Sequence, residues 1–338
     1  MSAGRITLIG TCPVFSSHLG MRDYIGRVAA AAAVAERQKW TSMLVYSDHS
    51  KLDPWVAADI LLRNSNAISP LVAVQPLYMH PFNLAKLVAS LSLVHGRPID
   101  MNFVSGGLPR DLETFCDDCG HDERYERLRE YIEILKGLFD RKTPHSFAGK
   151  YYKLSAINLP FTGPPNLREP IYTVAGSSSA GLEVARSTNS VAIQYLRPAS
   201  EYKSRSNIPG MRHGARIGVI VRQSTAEAWA VAHRMYPADP IGVEIRDYFT
   251  SISDSIWVKE LARDIDVSFG HPYWLGPYRS GRCACPFLVG SLPDVANELA
   301  KYMQMGLRTF LLEQPEDDED AGWVTKAFAL AERICSSW

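Results

Sequence analysis

The sequence predicts a parallel α/β fold, a closed (β/α)8 TIM barrel, and three observations carry that expectation. Short apolar runs alternate with longer amphipathic stretches through most of the chain. Eight strand–helix alternations can be counted, a number that favours a closed barrel over a doubly wound sheet. The length, 338 residues, suits one barrel domain over 1–338 that carries an insertion.

The elements follow in order. Ile6–Ile9 (ITLI) reads as the first strand and 22–39 as the helix after it. Ser42–Tyr46 (SMLVY) is the second strand. Pro54–Arg63 fits a helix, with Asp53 as N-cap and Pro54 at the first position. Leu71–Val74 is the third strand, stopped by Pro76, and Asn83–Val94 is a helix. Ile99–Val104 is the fourth strand and ends at Ser105-Gly106-Gly107. Tyr125, Leu128, Ile132, Leu135 and Phe139 recur at steps of three and four, one face of the clearest helix. Residues 147–155 (FAGKYYKLS) resemble a small hairpin. Ile171–Val174 is the fifth strand, opening into Gly176-Ser177-Ser178-Ser179 and a helix. Val191–Tyr195 and Ile217–Val221 are the sixth and seventh strands, and a helix runs from Thr225 to about Met235. Leu307–Leu312 is the eighth, between helices at 293–304 and about 321–335. Residues 236–290 are weakly periodic and rich in Pro, Gly and aromatics. They read as an insertion or lid before the last strand.

Composition narrows the function. Lys+Arg and Asp+Glu are equal at 36 each, for a formal net charge of zero. A nucleic-acid partner needs a basic surface and is not indicated. No apolar run approaches the roughly 18 residues that span a bilayer, and no signal-peptide pattern is present. A soluble cytoplasmic protein is expected. Six cysteines are sparse for this length, which argues against a disulfide framework. Cys116-x-x-Cys119 and Cys283-x-Cys285 match part of a four-thiolate zinc pattern. Cys-x-Cys is not its usual second half, so they read as loop thiols and no metal is assigned.

In a barrel the chemistry lies at the C-terminal ends of the strands. This points to Asp48-His49, Gln75 to His80, Ser105 to Gly107, Gly176 to Ser179 and Gln194-Tyr195. The Gly176 to Ser179 turn, at a helix N-terminus, suits a phosphate; an ordinary Ser N-cap is the alternative. His49, His80, His121 and His271 fall near loops without metal-ligand spacing. No Walker A, Rossmann or Gly-x-Ser-x-Gly pattern occurs.

Several segments together resemble the luciferase-like flavin monooxygenases, nearest the alkanesulfonate monooxygenase branch. They are 71–107 (LVAVQPLYMHPFNLAKLVASLSLVHGRPIDMNFVSGG), 120–139, the FAGKYY hairpin and 171–185 (IYTVAGSSSAGLEVA). Segments 214–232 and 287–312 follow in the same order. The resemblance implies a (β/α)8 barrel that takes reduced FMN (FMNH2) from a separate NAD(P)H:flavin reductase. It implies O2 as co-substrate, a flavin (hydro)peroxide as oxygenating species, and a homodimer.

Carried residue by residue, the resemblance implies that Gly176, Ser177 and Ser178 hold the FMN phosphate. Tyr125 would lie near the phosphate and ribityl chain. The backbone of Ala73 would lie against the isoalloxazine ring, with Asn102 and Ser105 at the flavin's polar edge. A buried Asn102 needs a partner in any case. Arg216 matches an arginine implicated in substrate and peroxyflavin handling. Arg279 and Arg282 fall near a mobile-loop arginine that binds substrate. His49 and His80 are the candidate bases.

Three departures stand out. The branch's histidine two residues beyond Arg216 is Gly218 here, its loop-two cysteine aligns with Lys51, and its late tyrosine has no counterpart in Leu312-Glu313-Gln314-Pro315. A site that loses its polar groups rarely keeps its substrate. The expectation is therefore a reduced-FMN-dependent monooxygenase of specialised metabolism. Its substrate would be a small molecule or a carrier-bound acyl chain rather than a short sulfonate. An F420-dependent oxidoreductase on the same barrel and a non-catalytic flavin-binding partner subunit are the alternatives.

Overall fold

A computed structural model describes residues 5–16, 18–48, 51–107, 109–140, 144–202, 210–253, 255–264 and 272–336. Twelve strands occur among them. They are β1 (Thr7–Thr11), β2 (Ser42–Val45), β3 (Ser69–Val74), β4 (Asp100–Phe103), β5 (His145–Ala148) and β6 (Lys153–Ile157). Then come β7 (Tyr172–Ala175), β8 (Val191–Tyr195), β9 (Arg212–Arg222), β10 (Tyr273–Trp274), β11 (Phe287–Ser291) and β12 (Leu307–Leu312). Hydrogen-bonded neighbours run β9-β12-β1-β2-β3-β4-β7-β8, and β8 pairs back to β9. These eight strands form a closed (β/α)8 barrel. They are the eight read from the sequence.

The chain divides into two compact units. One holds Met1–Thr11, Val34–Trp40 and Ile193–Trp338; the other holds Cys12–Ala33 and Thr41–Ala192.

In the Cys12–Ala192 unit, β2, β3 and β4 are buried along their whole length. Parallel strands covered by crossover helices need apolar residues on both faces, which is why LVAV and SMLV do not alternate. Registers are regular, and Ala73 pairs with Asn102, which pairs with Thr173. The helix Pro54–Arg63 starts as expected: Asp53 Oδ1 accepts from the backbone N–H of Trp55 at 2.8 Å. At the start of β4, the fully buried Asp100 carboxylate takes two bonds from Arg168, at 2.8 and 2.7 Å. The Ile171 N–H (2.7 Å) and the Ser42 hydroxyl also donate to it. Full pairing is what makes a buried carboxylate tolerable. Glu130 of the helix His121–Asp140 accepts from the backbone N–H groups of Lys150, Tyr151 and Tyr152 at 2.7–3.2 Å. This clamps the β5–β6 turn. A Cβ at Gly149 would sit 2.3 Å from that carboxylate.

In the unit that contains Ile193–Trp338, β9 is eleven residues long, against the five expected. Its first part pairs with β12 and its second with β11, in parallel. Sequence pattern does not mark β11, because Phe287–Ser291 is a short apolar run between a loop and a helix. The 236–290 stretch is also more regular than expected. It forms helices at Pro240–Ile252 and Ile256–Asp264, a short one at Gly276–Arg279, and β10. Its aromatics are mostly packing residues. Trp257 stacks on Tyr195 (3.5 Å between centroids), and the Tyr273 and Tyr278 hydroxyls donate to the carbonyls of Leu196 and Val258. Tyr248 alone among Tyr248, Trp257, Tyr273, Trp274 and Tyr278 is exposed.

His213 on β9 is buried, and among the described residues neither ring nitrogen has a hydrogen-bond partner. Burial without a partner disfavours the imidazolium and lowers its pKa from the ordinary 6.5. The unfolded chain then binds the proton first, so this contribution to stability is complete above about pH 6.5 and is lost as pH falls below it. Urea unfolding of wild type between pH 7.5 and 5.5 should lose up to about 1.4 kcal/mol per pH unit through this residue. His213→Phe should flatten that part of the slope; an unchanged slope would refute the assignment.

Candidate functional site

A cavity of about 370 Å³ opens beyond the C-terminal ends of β2 and β3. That volume is within the range of small-molecule sites, about 300–1,000 Å³. Ala73, Val74 and Gln75 line it at the end of β3. Trp55, Tyr78, Met79, Phe115 and Tyr131 give it an aromatic and apolar wall, and Ser47, Asp48, Lys51 and Asp53 a polar side. The wall is braced. Tyr131 donates to the Met79 carbonyl at 2.9 Å, and Tyr78 packs edge-on to Phe115 with centroids 5.2 Å apart. Burial, then the Asp111 carboxylate beside it, pushes the Tyr78 phenol up to about 12, so it stays a protonated donor.

Gln75 is the informative residue. Its side-chain Nε2 is buried, and among the described residues it has no hydrogen-bond partner. An amide nitrogen buried at a cavity wall without an acceptor costs free energy unless something that enters accepts from it.

From Gln75 a line of contacts leads to the small-residue turn after β7. Gly106 has φ +82°, a left-handed conformation that favours glycine, and a Cβ there would fall 2.6 Å from Gln75 Nε2. The Gly106 carbonyl accepts from Arg124 Nε at 3.1 Å. The next residue, Tyr125, lays its ring against Gly176 and Gly181: Cβ atoms there would come within 2.4 and 3.1 Å of the phenol. Neither glycine can be larger without displacing Tyr125. Ser178 is the N-cap of the helix Ser179–Ser187, its Oγ accepting from Gly181 N at 3.1 Å. The N-cap reading of the turn is thus the one the geometry shows. Ser178 caps the helix, and the first-turn N–H groups and the helix dipole face whatever occupies the turn.

Asn102 and Ser105 are buried beside this line. The Thr173 hydroxyl donates to Asn102 Oδ1 at 2.6 Å, which supplies the partner a buried amide needs. Ser105 Oγ donates to the Gly106 carbonyl at 3.3 Å.

In the unit that contains Ile193–Trp338, Arg216 forms an ion pair with Glu313, Nη2 to Oε2 2.9 Å. Both side chains are mostly buried, at 13% and 20% exposure. The position two residues beyond Arg216 cannot take a side chain, since a Cβ on Gly218 would lie 2.2 Å from the Phe287 ring. Phe287 fills the space that a histidine at 218 would need.

Residues 9–309 match the luciferase-like monooxygenase family profile. The chain belongs to the luciferase-like monooxygenase family. A curated relative from Niallia circulans, the 4-(gamma-L-glutamylamino)butanoyl-[BtrI acyl-carrier protein] monooxygenase BtrO, is 28% identical over 321 residues. The alignment spans 93% of this chain and 94% of that protein. Among solved structures, riboflavin lyase with modified FMN and riboflavin superposes with a TM-score of 0.73 at 13% identity, over 99% of this chain and 92% of that one. EDTA monooxygenase from Chelativorans sp. BNC1 gives 0.68 at 18%, over 98% and 95%. At these identities the structural likeness speaks for the fold.

Of the residues expected from the family resemblance, Ala73 lines the cavity. Asn102, Ser105, Tyr125, Gly176, Ser177 and Ser178 stand on the ends of β4 and β7 and on the helix between them. His80 serves the fold: it is the exposed N-cap of Pro81–His95, with Nδ1 accepting from Phe82 N at 3.3 Å. Arg279 and Arg282 are exposed, and Arg282 pairs with Asp239 at 3.3 Å. His49 and His271 lie outside the described residues. Two residues gain a role only from the structure. Gln75 has a sequence signal, a polar residue closing the apolar run LVAV. Glu313 has none, because its partner lies 97 residues away.

Gln75→Leu tests the orphaned amide. It should raise the stability of the ligand-free protein by about 1 kcal/mol, read by urea unfolding. A loss of stability in the ligand-free variant would show that Gln75 is already satisfied.

Proposed function

We propose that the protein is a reduced-FMN-dependent monooxygenase that transfers one oxygen atom from O2 to an organic metabolite. The observation that carries this reading is the buried Gln75 Nε2, which has no hydrogen-bond partner among the described residues. It lines the cavity, and contacts through Gly106, Arg124 and Tyr125 lead from it to the Gly176–Ser179 turn. These residues fit FMN. Gln75 would donate to the polar edge of the flavin ring, whose face would lie on the Ala73 backbone. Gly176, Ser177 and the N-terminus of Ser179–Ser187 would take the phosphate, and Tyr125 would hold the turn open. Bound reduced flavin supplies the electrons that activate O2. The chain's own contribution is to orient the ring and to exclude water with Trp55, Tyr78, Phe115 and Tyr131. A separate reductase would deliver the reduced flavin.

The substrate reading rests on Arg216. An arginine that recognises a sulfonate needs its charge available. Here Glu313 neutralises it, and Phe287 occupies the neighbouring position. This supports a substrate without a strong anionic group at the reacting end. The curated relative acts on an acyl chain held by a carrier protein, so carrier-bound acyl thioesters are the substrate class we place first.

Anaerobic titration with reduced FMN, followed by rapid mixing with O2, tests the reading. Reduced FMN should bind and, once bound, oxidise more slowly than in buffer. An acyl-carrier thioester should hasten turnover and yield a product about 16 mass units heavier, the one oxygen atom that a reduced flavin and O2 deliver. Short alkanesulfonates should not, within about a tenfold margin. Reduced FMN that fails to bind, or oxidises as in buffer, would refute the monooxygenase.

A further inference from the structure

Two sulfurs and a carboxylate converge in the unit that contains Ile193–Trp338, at a place the flavin reading does not use. Cys283 and Cys285 precede β11, and Glu313 follows β12. Cys283 Sγ lies 3.4 Å from Cys285 Sγ and 3.4 Å from Glu313 Oε2; Cys285 Sγ lies 3.8 Å from the same oxygen. A tetrahedral zinc ion with Zn–S of about 2.3 Å and Zn–O of about 2.1 Å holds its ligand atoms about 3.5–3.8 Å apart. The triangle thus already has close to the edges of one face of such a site. Among the described residues, no other group of three His, Cys, Asp or Glu ligand atoms comes together in this way.

We propose that Cys283, Cys285 and Glu313 form a binding site for a thiophilic divalent cation of the zinc class, with its fourth position open to water.

Two further observations support it. Charge balances: two thiolates and one carboxylate carry three negative charges, a divalent cation two positive, and Arg216 beside Glu313 the third. Buried charges are stable only when so compensated. The donor set is two soft sulfurs with one oxygen, which selects zinc-like ions over magnesium or calcium. Ion binding would release the thiol protons and tighten as pH rises. The bound ion would tie the segment that returns from the 236–290 insertion to the end of β12. It would also hold Glu313 against Arg216.

The test is titration of the full-length, reduced, metal-stripped protein with Co2+, then Zn2+. The expected result is a near-ultraviolet thiolate-to-cobalt charge-transfer band with visible bands of tetrahedral Co2+. It should saturate at one ion per chain and be displaced by Zn2+. Zn2+ should also slow reaction of Cys283 with a thiol reagent at least about tenfold. Cys283→Ser and Cys285→Ser should each weaken binding about 100-fold or more, and Glu313→Gln about tenfold. The Cys116→Ser/Cys119→Ser variant should keep the band. Cys283 is only half-buried, so Cys283→Ser carries the test if Cys285→Ser fails to fold, with far-ultraviolet circular dichroism as the check. No charge-transfer band in the reduced protein overturns the site. So does a band that survives Cys283→Ser, or one lost in Cys116→Ser/Cys119→Ser. The flavin titration is read separately, so its failure and that of the metal site are distinguishable.

Discussion

The parallel register of β3, β4 and β7 is the constraint on which the candidate site depends. Ala73, Asn102 and Thr173 stand side by side across three strands. Parallel strands must all point the same way, so their C-terminal loops emerge together. Residues 75, 106 and 176 are scattered in the sequence and are brought to one end for that reason alone. A slip of one residue in β3 would turn Ala73 and Gln75 to the opposite face. Whole-length burial of β3 and β4 makes such a slip costly.

Glycine sets how closely those loops approach. Gly106 admits the Gln75 amide, and Gly176 and Gly181 admit the Tyr125 ring. In each case a missing Cβ makes room for a polar or aromatic side chain from another element. The turn after β7 is therefore built from outside as well as from its own residues. Ser178 closes the helix end, and Tyr125 supports the turn.

Buried charge is handled by compensation throughout. Asp100 is met by Arg168, Ile171 N–H and Ser42, and Glu130 by three backbone N–H groups. Arg216 is met by Glu313. The first two pairings secure the fold. The third leaves the Arg216 guanidinium neutralised.

The sequence by itself determined the eight barrel strands, the Asp53 cap and the glycine–serine turn. Each depends on local pattern: apolar runs, a cap before Pro54, small residues before a helix. The order of its segments also identified the family. Other features rested on partners distant in the chain, and only the tertiary structure decided them. Asn102 could be read as needing a partner, yet Thr173 could not be named. His80 looked like a base and is a helix cap. The 236–290 stretch read only as a weakly periodic insertion or lid, yet Trp257, Tyr273 and Tyr278 pack against their own unit. Glu313, the residue that neutralises Arg216 and meets Cys283 and Cys285, had no local signal. The physical reason is the same in each case. Propensity and periodicity act over a few residues, whereas an ion pair or a ligand set is defined by distance in space, which the closed parallel sheet alone establishes.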